Sequence, residues 1–484
     1  MSNPVSDPMS AAKREPMMHA TLAELVARMP GARMTHDAAF DGVSTDSRAL
    51  VPGQLFVALR GETFDAHSFL PTLAGGDGGA PLAAAVVAEQ LPAGWTLPAL
   101  IVPNTLTALG QLGHYWRSQF AIPVIGVTGS NGKTTVKEMI AAILAAAFGD
   151  EGRLATRGNL NNEIGVPLTL MRLHDQHRAA VIEMGMNHPG EIARLAAIAA
   201  PTVAMVNNAQ REHQEFMHTV EAVARENGAV LAALPASGAA VYPADDVYTP
   251  LWAGLAGARR SITFGLNDAA DVGGTYQASA FGSEMVVSAR IDGAQANTFK
   301  VALAAAGVHN VRNALAAIAC ALAAGVPQAA IVAGLESFAP VSGRLQKKAG
   351  DNGVTVIDDS YNANPDSVRA AIDVLRQAGG TRILVLGDMG EVGTQGQQFH
   401  EEIAAYAASA GIEHVLVTGE LARHMAGPQH TAVQHFEQFD ELLAALDTAL
   451  GSKSDATVLV KGSRFMKMER VVQHLTGTHN KEAH

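Results

Sequence analysis

Residues 126–135 read GVTGSNGKTT, and their flanks decide how they are read. An apolar run from Ile122 to Val127 leads in, and TVKEMIAAILAAAF at 135–148 leads out with apolar residues at helical spacing. The stretch therefore joins a strand to a helix. Such a junction can hold phosphate: Gly129 and Gly132 let the backbone curl so that N–H groups converge on one anion. A helix starting near Lys133 aims its positive dipole end at the same point, and the Lys133 ammonium adds a full charge. Ser130, Asn131 and Thr135 complete the cradle, and Thr134 offers a hydroxyl to Mg2+. The spacing departs from G-x-x-x-x-G-K-[ST], since Val127 stands at the first glycine position; an ordinary glycine-rich turn, however, seldom combines a lysine, two threonines and a following helix.

Outward from this loop, strands and helices alternate. RAAVIEMG at 178–185 and PTVAMVNN at 201–208 are short apolar runs of the buried-strand type, which predicts a parallel sheet covered by helices. Between 260 and 303 the pattern changes to SITFG, EMVVSARI and TFKVAL, read as a small antiparallel insertion before a helix at 309–324. After ESFAPVSGRLQ at 336–346 a second alternating series runs through VTVID, RILVLG, HVLVTG and TVLVKG. The expected architecture is α/β in three domains: a smaller mixed domain over 21–115, a central parallel-sheet domain over 116–340, and a C-terminal Rossmann-like domain over 341–484. Residues 1–20 read as a disordered leader without the apolar core of a signal peptide.

Composition narrows the function classes. The 484 residues are 48% hydrophobic and 17% charged, as in a globular chain of about three domains. The single cysteine, Cys320, excludes a disulfide framework, fits a reducing cytoplasmic compartment, and reads as a small buried hydrophobe. The longest apolar stretch, 314–326, is too short to span a bilayer. A net charge of −12 argues against general nucleic-acid binding.

Polar residues gather at the ends of the apolar runs, where open α/β sheets bind ligands. Glu183 ends one run and, with Thr134, forms a partial oxygen set of the kind Mg2+ accepts. His213, in NNAQREHQEF, follows another; it is either structural or functional on this evidence. Arg344 lies in a loop between domains, where it could neutralise phosphate across a cleft or simply be a solvated charge. DDSYNANP at 358–365 suits a ribose, an amine or a metal, or equally a turn. Asn310 and Asn313 share one face of a helix start and could cap it or meet a base edge. VSTDSR at 43–48 could hold a pyrophosphate or sugar, though a capped turn explains it as well.

Taken in order, TGSNGKTT, TRGNLNNEIGVPL, VIEMGMNHPGEI, HNVRNALAA, SGRLQ and DDSYNANPDS resemble the ATP-dependent Mur ligases of peptidoglycan synthesis, from about Gly42 to Val472. LGDMGEVG and VKGSRFMKMERVV are similar to the member of that family that adds D-alanyl-D-alanine to UDP-N-acetylmuramoyl-tripeptide. The resemblance implies a cytoplasmic enzyme, read as a monomer, in which ATP with Mg2+ turns a substrate carboxylate into an acyl phosphate that an amine displaces. It implies that Gly129 to Thr135 hold ATP, with Lys133 at the β- and γ-phosphates. Thr134, Glu183 and His213 would bind metal, Asn310 and Asn313 would meet the adenine side, and Arg344 and Asp359 would reach the nucleotide from the C-terminal domain. Lys133, Glu183, His213 and Arg344 form the catalytic set. Thr45, Ser47 and Arg48 would meet the UDP-sugar, and Asn159 and Asn162 the substrate path. One position departs: where the family holds a second Mg2+ with a carbamylated lysine, this chain has Asn227, and no lysine occurs between Lys137 and Lys300. A carbamate from this segment is impossible, so either Glu226, water or another group substitutes or the second metal is held more weakly, and a one-metal core is the expectation. Two other readings compete, a folylpolyglutamate synthase-like ligase and a P-loop switch that hydrolyses ATP without ligating anything.

Overall fold

The run VIGVT becomes a strand, Val124–Thr128, buried over its whole length, because its side chains are apolar on both faces and must be covered on both. A computed structural model describes residues 17–477 apart from 62, 76–80, 280, 292, 294, 295 and 452. Most of the expected leader lies outside these residues. The strand sits inside a nine-stranded sheet, between Val203–Val206 on one side and Ala179–Glu183 on the other. Both neighbours run parallel to it, with Glu183 opposite Val127 and Val206 opposite Thr128. Two strand ends are thereby delivered to the phosphate loop.

Lys133–Phe148, Val308–Ala323 and Gln328–Ser337 form helices that share one apolar core with this sheet. Small residues allow their close approach. A side chain on Gly334 would place its Cβ 2.4 Å from Ile143 Cα. Each fully buried Val or Ile here contributes roughly 1.5–3 kcal/mol. Cys320 belongs to the same core, and burial pushes its thiol well above the usual range. The expected antiparallel insertion needs correction. Arg260–Phe264, which contains the SITF of that pattern, is a parallel member of the sheet, and the antiparallel strands Val272–Ser279, Gly282–Ala289 and Asn297–Leu303 extend that same sheet. Residues 275–279 are exposed, so the first of these strands lacked the apolar run that would have announced it.

The second alternating series builds a six-stranded sheet. Its order is Gln346–Ala349, Thr355–Asp359, Thr457–Lys461, Arg382–Gly387, His414–Thr418 and Val433–Phe436, all parallel except the first. Alternate residues of the inner strands enter two separate cores, Val356, Val385 and Val458 on one face and Ile357, Leu384 and Leu459 on the other. Both parallel sheets lie in one compact unit, Ile122–Asn162 together with the residues from Arg178 onward.

The other unit takes the residues up to Ala121 together with Glu163–His177. Its five-stranded sheet runs Arg33–Met34, Ala99–Ile101, Ala85–Ala88, Leu55–Val57 and Val43–Ser44. Glu163–His177 falls inside the span assigned from sequence to the central domain, yet it packs here. Gly113 lets the helix Thr105–Arg117 approach Pro167 closely, Trp116 Nε1 donates to the Leu173 carbonyl at 2.9 Å, and Met18 N–H donates to the Met171 carbonyl at 2.8 Å.

Candidate active site

Two glycines of the loop are required by geometry. Gly129 has φ +132° and Gly132 has φ +81°, and a Cβ on Gly132 would fall 2.5 Å from Asn313 Oδ1 and 2.6 Å from Asn207 Nδ2. The loop is braced from outside. Gly129 N–H donates to Asn227 Oδ1 (2.9 Å), Ser130 N–H to the Asn208 carbonyl (3.2 Å), and Asn131 N–H to Asn208 Oδ1 (2.9 Å). The Lys133 ammonium folds back on the carbonyls of Gly129 and Ser130 and reaches Glu212 Oε2 at 3.4 Å.

One helical residue beyond Lys133, the Thr134 hydroxyl donates to Glu183 Oε1 (3.1 Å), which also accepts from Asn161 Nδ2 (2.9 Å). Glu183 is buried, and its Oε2 has no hydrogen-bond partner among the described residues. A buried carboxylate oxygen left over beside a hydroxyl suits Mg2+, which takes one or two protein oxygens and completes its shell with water and phosphate. Among the described residues no three of His, Cys, Asp and Glu converge as a metal cage. Behind this cluster, Thr156 Oγ1 accepts the Glu183 N–H and its carbonyl accepts from the fully buried Lys137.

His213 is the third expected metal ligand. Its Nδ1 lies 2.6 Å from Glu391 Oε2 and its Nε2 lies 3.8 Å from Glu212 Oε2. His213 and Glu391 both adopt positive φ, +48° and +58°, a conformation that non-glycine residues keep only where their surroundings impose it. The bond to His213 holds the Glu391 carboxyl below the usual carboxylate range, and the charge of Lys133 adds to this.

Several sequence expectations receive different surroundings from those anticipated. Glu226, the suggested substitute for a carbamate, accepts the N–H groups of Gly190 and Ile192 and so caps the helix Glu191–Ala199. Asn227 braces Gly129 instead of facing a metal. Asn310 and Asn313 are buried and bonded to each other, and Asn313 Oδ1 accepts from Asn207, which also donates to the Asn131 carbonyl. Arg344 stacks 4.2 Å from the ring centre of Tyr361. Asp359 Oδ1 accepts the Leu345 N–H while Oδ2 pairs with the buried Lys461, its neighbour in the sheet register. In the loop carrying Asn159 and Asn162, both of them exposed, Asn161 is the residue that reaches Glu183. In the first unit, Thr45, Ser47 and Arg48 lie on the loop leaving Val43–Ser44, with Arg48 bonded to Asp46.

Asn207 is legible in the sequence as a polar strand end, whereas Asn208, Gln210, Arg211 and Glu212, which hold the loop or the helices of the C-terminal sheet, are not. The signal was the polar run NNAQREHQ directly after the strand Val203–Val206, in which only Asn207 and His213 stand out by position and residue type.

The Mur ligase middle domain pattern matches residues 127–321, and the Mur ligase glutamate ligase domain pattern matches 343–464. The chain is 38% identical over 461 residues to UDP-N-acetylmuramoyl-tripeptide-D-alanyl-D-alanine ligase of Escherichia coli K12, covering 95% of this chain and 99% of that one. A crystal structure of MurF from Acinetobacter baumannii superposes with TM-score 0.87 at 33% identity, covering 96% of this chain and all of that one. MurF ligase from Thermotoga maritima, solved in complex with ADP, superposes with TM-score 0.77 at 26% identity, covering 89% and 96%.

Proposed function

The chain belongs to the Mur ligase family, and we propose that it is the ATP-dependent member that joins D-alanyl-D-alanine to UDP-N-acetylmuramoyl-tripeptide, releasing ADP and phosphate. The observation that carries this reading is the likeness to ligases named for that reaction over 95% of the chain in sequence and 96% in structure. A folylpolyglutamate synthase-like activity would not account for likeness through the first unit.

In this reading the tripeptide carboxylate attacks the γ-phosphorus of ATP, the bond to the β-bridging oxygen breaks, and ADP leaves. The dipeptide amine then attacks the acyl carbon, and phosphate departs with the former carboxylate oxygen. The protein's part is positioning and charge. Gly129 to Thr135 hold the phosphates, and Lys133 exchanges its carbonyl contacts for the β- and γ-phosphates. Thr134 and Glu183 would hold Mg2+ and His213 would sit at a second metal position, where such an ion would supply positive charge to offset that on the phosphoryl oxygens. Asn310 and Asn313 border the adenine side, and Arg344 and Asp359 approach from the C-terminal sheet. Thr45, Ser47 and Arg48 take the UDP-sugar, and Asn159 and Asn162 line the substrate path. Among the described residues no helix is long and apolar enough to cross a membrane; the enzyme of this reading works in the cytoplasm as a monomer.

The test is phosphate release from Mg-ATP with UDP-N-acetylmuramoyl-tripeptide, with and without D-alanyl-D-alanine, together with the product mass. Release that requires both substrates and yields a UDP-linked pentapeptide is expected. Hydrolysis indifferent to both would replace the ligase with a nucleotide-driven switch.

A further inference from the structure

The segment 208–212 touches two different things. Asn208, Gln210 and Glu212 face the phosphate loop. Asn208 takes the N–H groups described above, Gln210 Oε1 accepts from Asn131 Nδ2 at 2.6 Å while its N–H donates to Ser130 Oγ at 2.9 Å, and Glu212 meets Lys133. Arg211, between Gln210 and Glu212, faces the C-terminal sheet's helices. Arg211 bonds to Asp366 through its own N–H (2.9 Å), Nε (3.2 Å) and Nη2 (2.7 Å). It also grips Glu402 through Nη1 (2.8 Å) and Nη2 (3.1 Å). Its guanidinium lies 5.2 Å from the centre of the Phe399 ring. Asp366 lies in the first turn of Pro365–Arg376, and Glu402 lies in Gly396–Ser409. Asn131 of the loop also meets Asn364, immediately before that first helix, at 2.9 Å.

We propose that this segment is a two-sided coupler and that Arg211 is its positioning residue. A planar guanidinium bonded to two carboxylates from two helices fixes both distance and orientation, which a single ammonium cannot do. Because the flanking residues Gln210 and Glu212 hold Ser130, Asn131 and Lys133, phosphate entering the loop rearranges the same backbone that carries the clamp. Nucleotide binding and docking of the C-terminal domain then form one equilibrium, and weakening the clamp lowers the apparent affinity for nucleotide without touching the nucleotide.

The kinetic part of the test rests on the ligase reading, while the binding part does not. Arg211→Met keeps the aliphatic stem over Phe399 and removes the charge. The pair Asp366→Asn with Glu402→Gln removes the acceptor charges and leaves Arg211 in place, covering the case in which the first variant fails to fold. Three quantities are read for each: the dissociation constant of Mg-ATP at low and high salt, amide hydrogen exchange over residues 363–369, and KM for ATP against kcat. The expected result is about tenfold weaker Mg-ATP binding in either variant, faster exchange over 363–369, a raised KM, and loss of the wild-type salt dependence. Arg211→Lys recovers part of the affinity at low salt only. A lowered melting temperature with unchanged nucleotide affinity and unchanged exchange would overturn the proposal and leave Arg211 merely structural. Wild-type protein that binds Mg-ATP but forms no amide product would sink the ligase reading, and the binding and exchange measurements would still decide the coupler.

Discussion

At the residue scale, Asn227 shows how one side chain can change its work. Its Oδ1 accepts the Gly129 N–H, its backbone carbonyl accepts the Thr128 hydroxyl at 3.1 Å, and its Nδ2 is buried with no hydrogen-bond partner among the described residues. No carbamate can form on an amide nitrogen of this kind. Product formation is therefore expected to be independent of bicarbonate, and an activity that falls when bicarbonate is stripped from the buffer would contradict this. Replacing Asn227 by Leu leaves the Gly129 N–H unsatisfied in a buried site, a loss of about 1–3 kcal/mol. Urea unfolding measures it, and nucleotide affinity should fall in parallel because the loop loses a brace.

At the element scale, the helices on the nine-stranded sheet depend on what is missing from their surfaces. Gly334 lies against the backbone of Ile143 and Ala142, with 2.4–2.9 Å between its ideal Cβ position and their atoms. Backbone atoms have no rotamer into which to retreat. Gly334→Ala is expected to destabilise the fold by about 1–3 kcal/mol through overpacking, despite alanine's better helix propensity. A denaturant midpoint at or above that of the wild type would show that the two helices can slide apart. The same sheet shows where local pattern fails. Parallel strands with two buried faces announce themselves as apolar runs, and Ala179–Glu183 and Val203–Val206 were both legible. Val272–Ser279 was not, because a strand with an exposed half carries no continuous apolar run.

At the scale of the whole molecule, the clamp between the two sheets' domains carries a definite pH signature. Glu402 sits below its ordinary value of 4.5, chiefly because Arg211 bonds to its charged form, with Arg369 adding a second bond at 2.8 Å. A carboxylate depressed in the folded state contributes stability in full above the unfolded value, and that contribution is lost as pH falls through the folded value. Exchange over residues 363–369 should thus be constant, once corrected for intrinsic rates, from pH 9 to pH 6, and should quicken only in acid below about 4.5. Glu402→Gln should remove the Glu402 part of that acid response; an unchanged acid profile in the variant would assign it elsewhere. Such partners were invisible beforehand, since Arg211 stands 155 residues from Asp366 and 191 from Glu402. By itself the sequence determined the phosphate loop, the two alternating series and the family, because glycine conformational freedom, a lysine at a helix start and apolar periodicity act over a few neighbouring residues. Only the tertiary structure decided that Glu163–His177 packs with the first unit, that Asn227 and Asn313 brace the loop, and that Arg211 bridges two domains. Each of these is a contact between groups brought together from distant parts of the chain, and nothing in a local pattern specifies the partner.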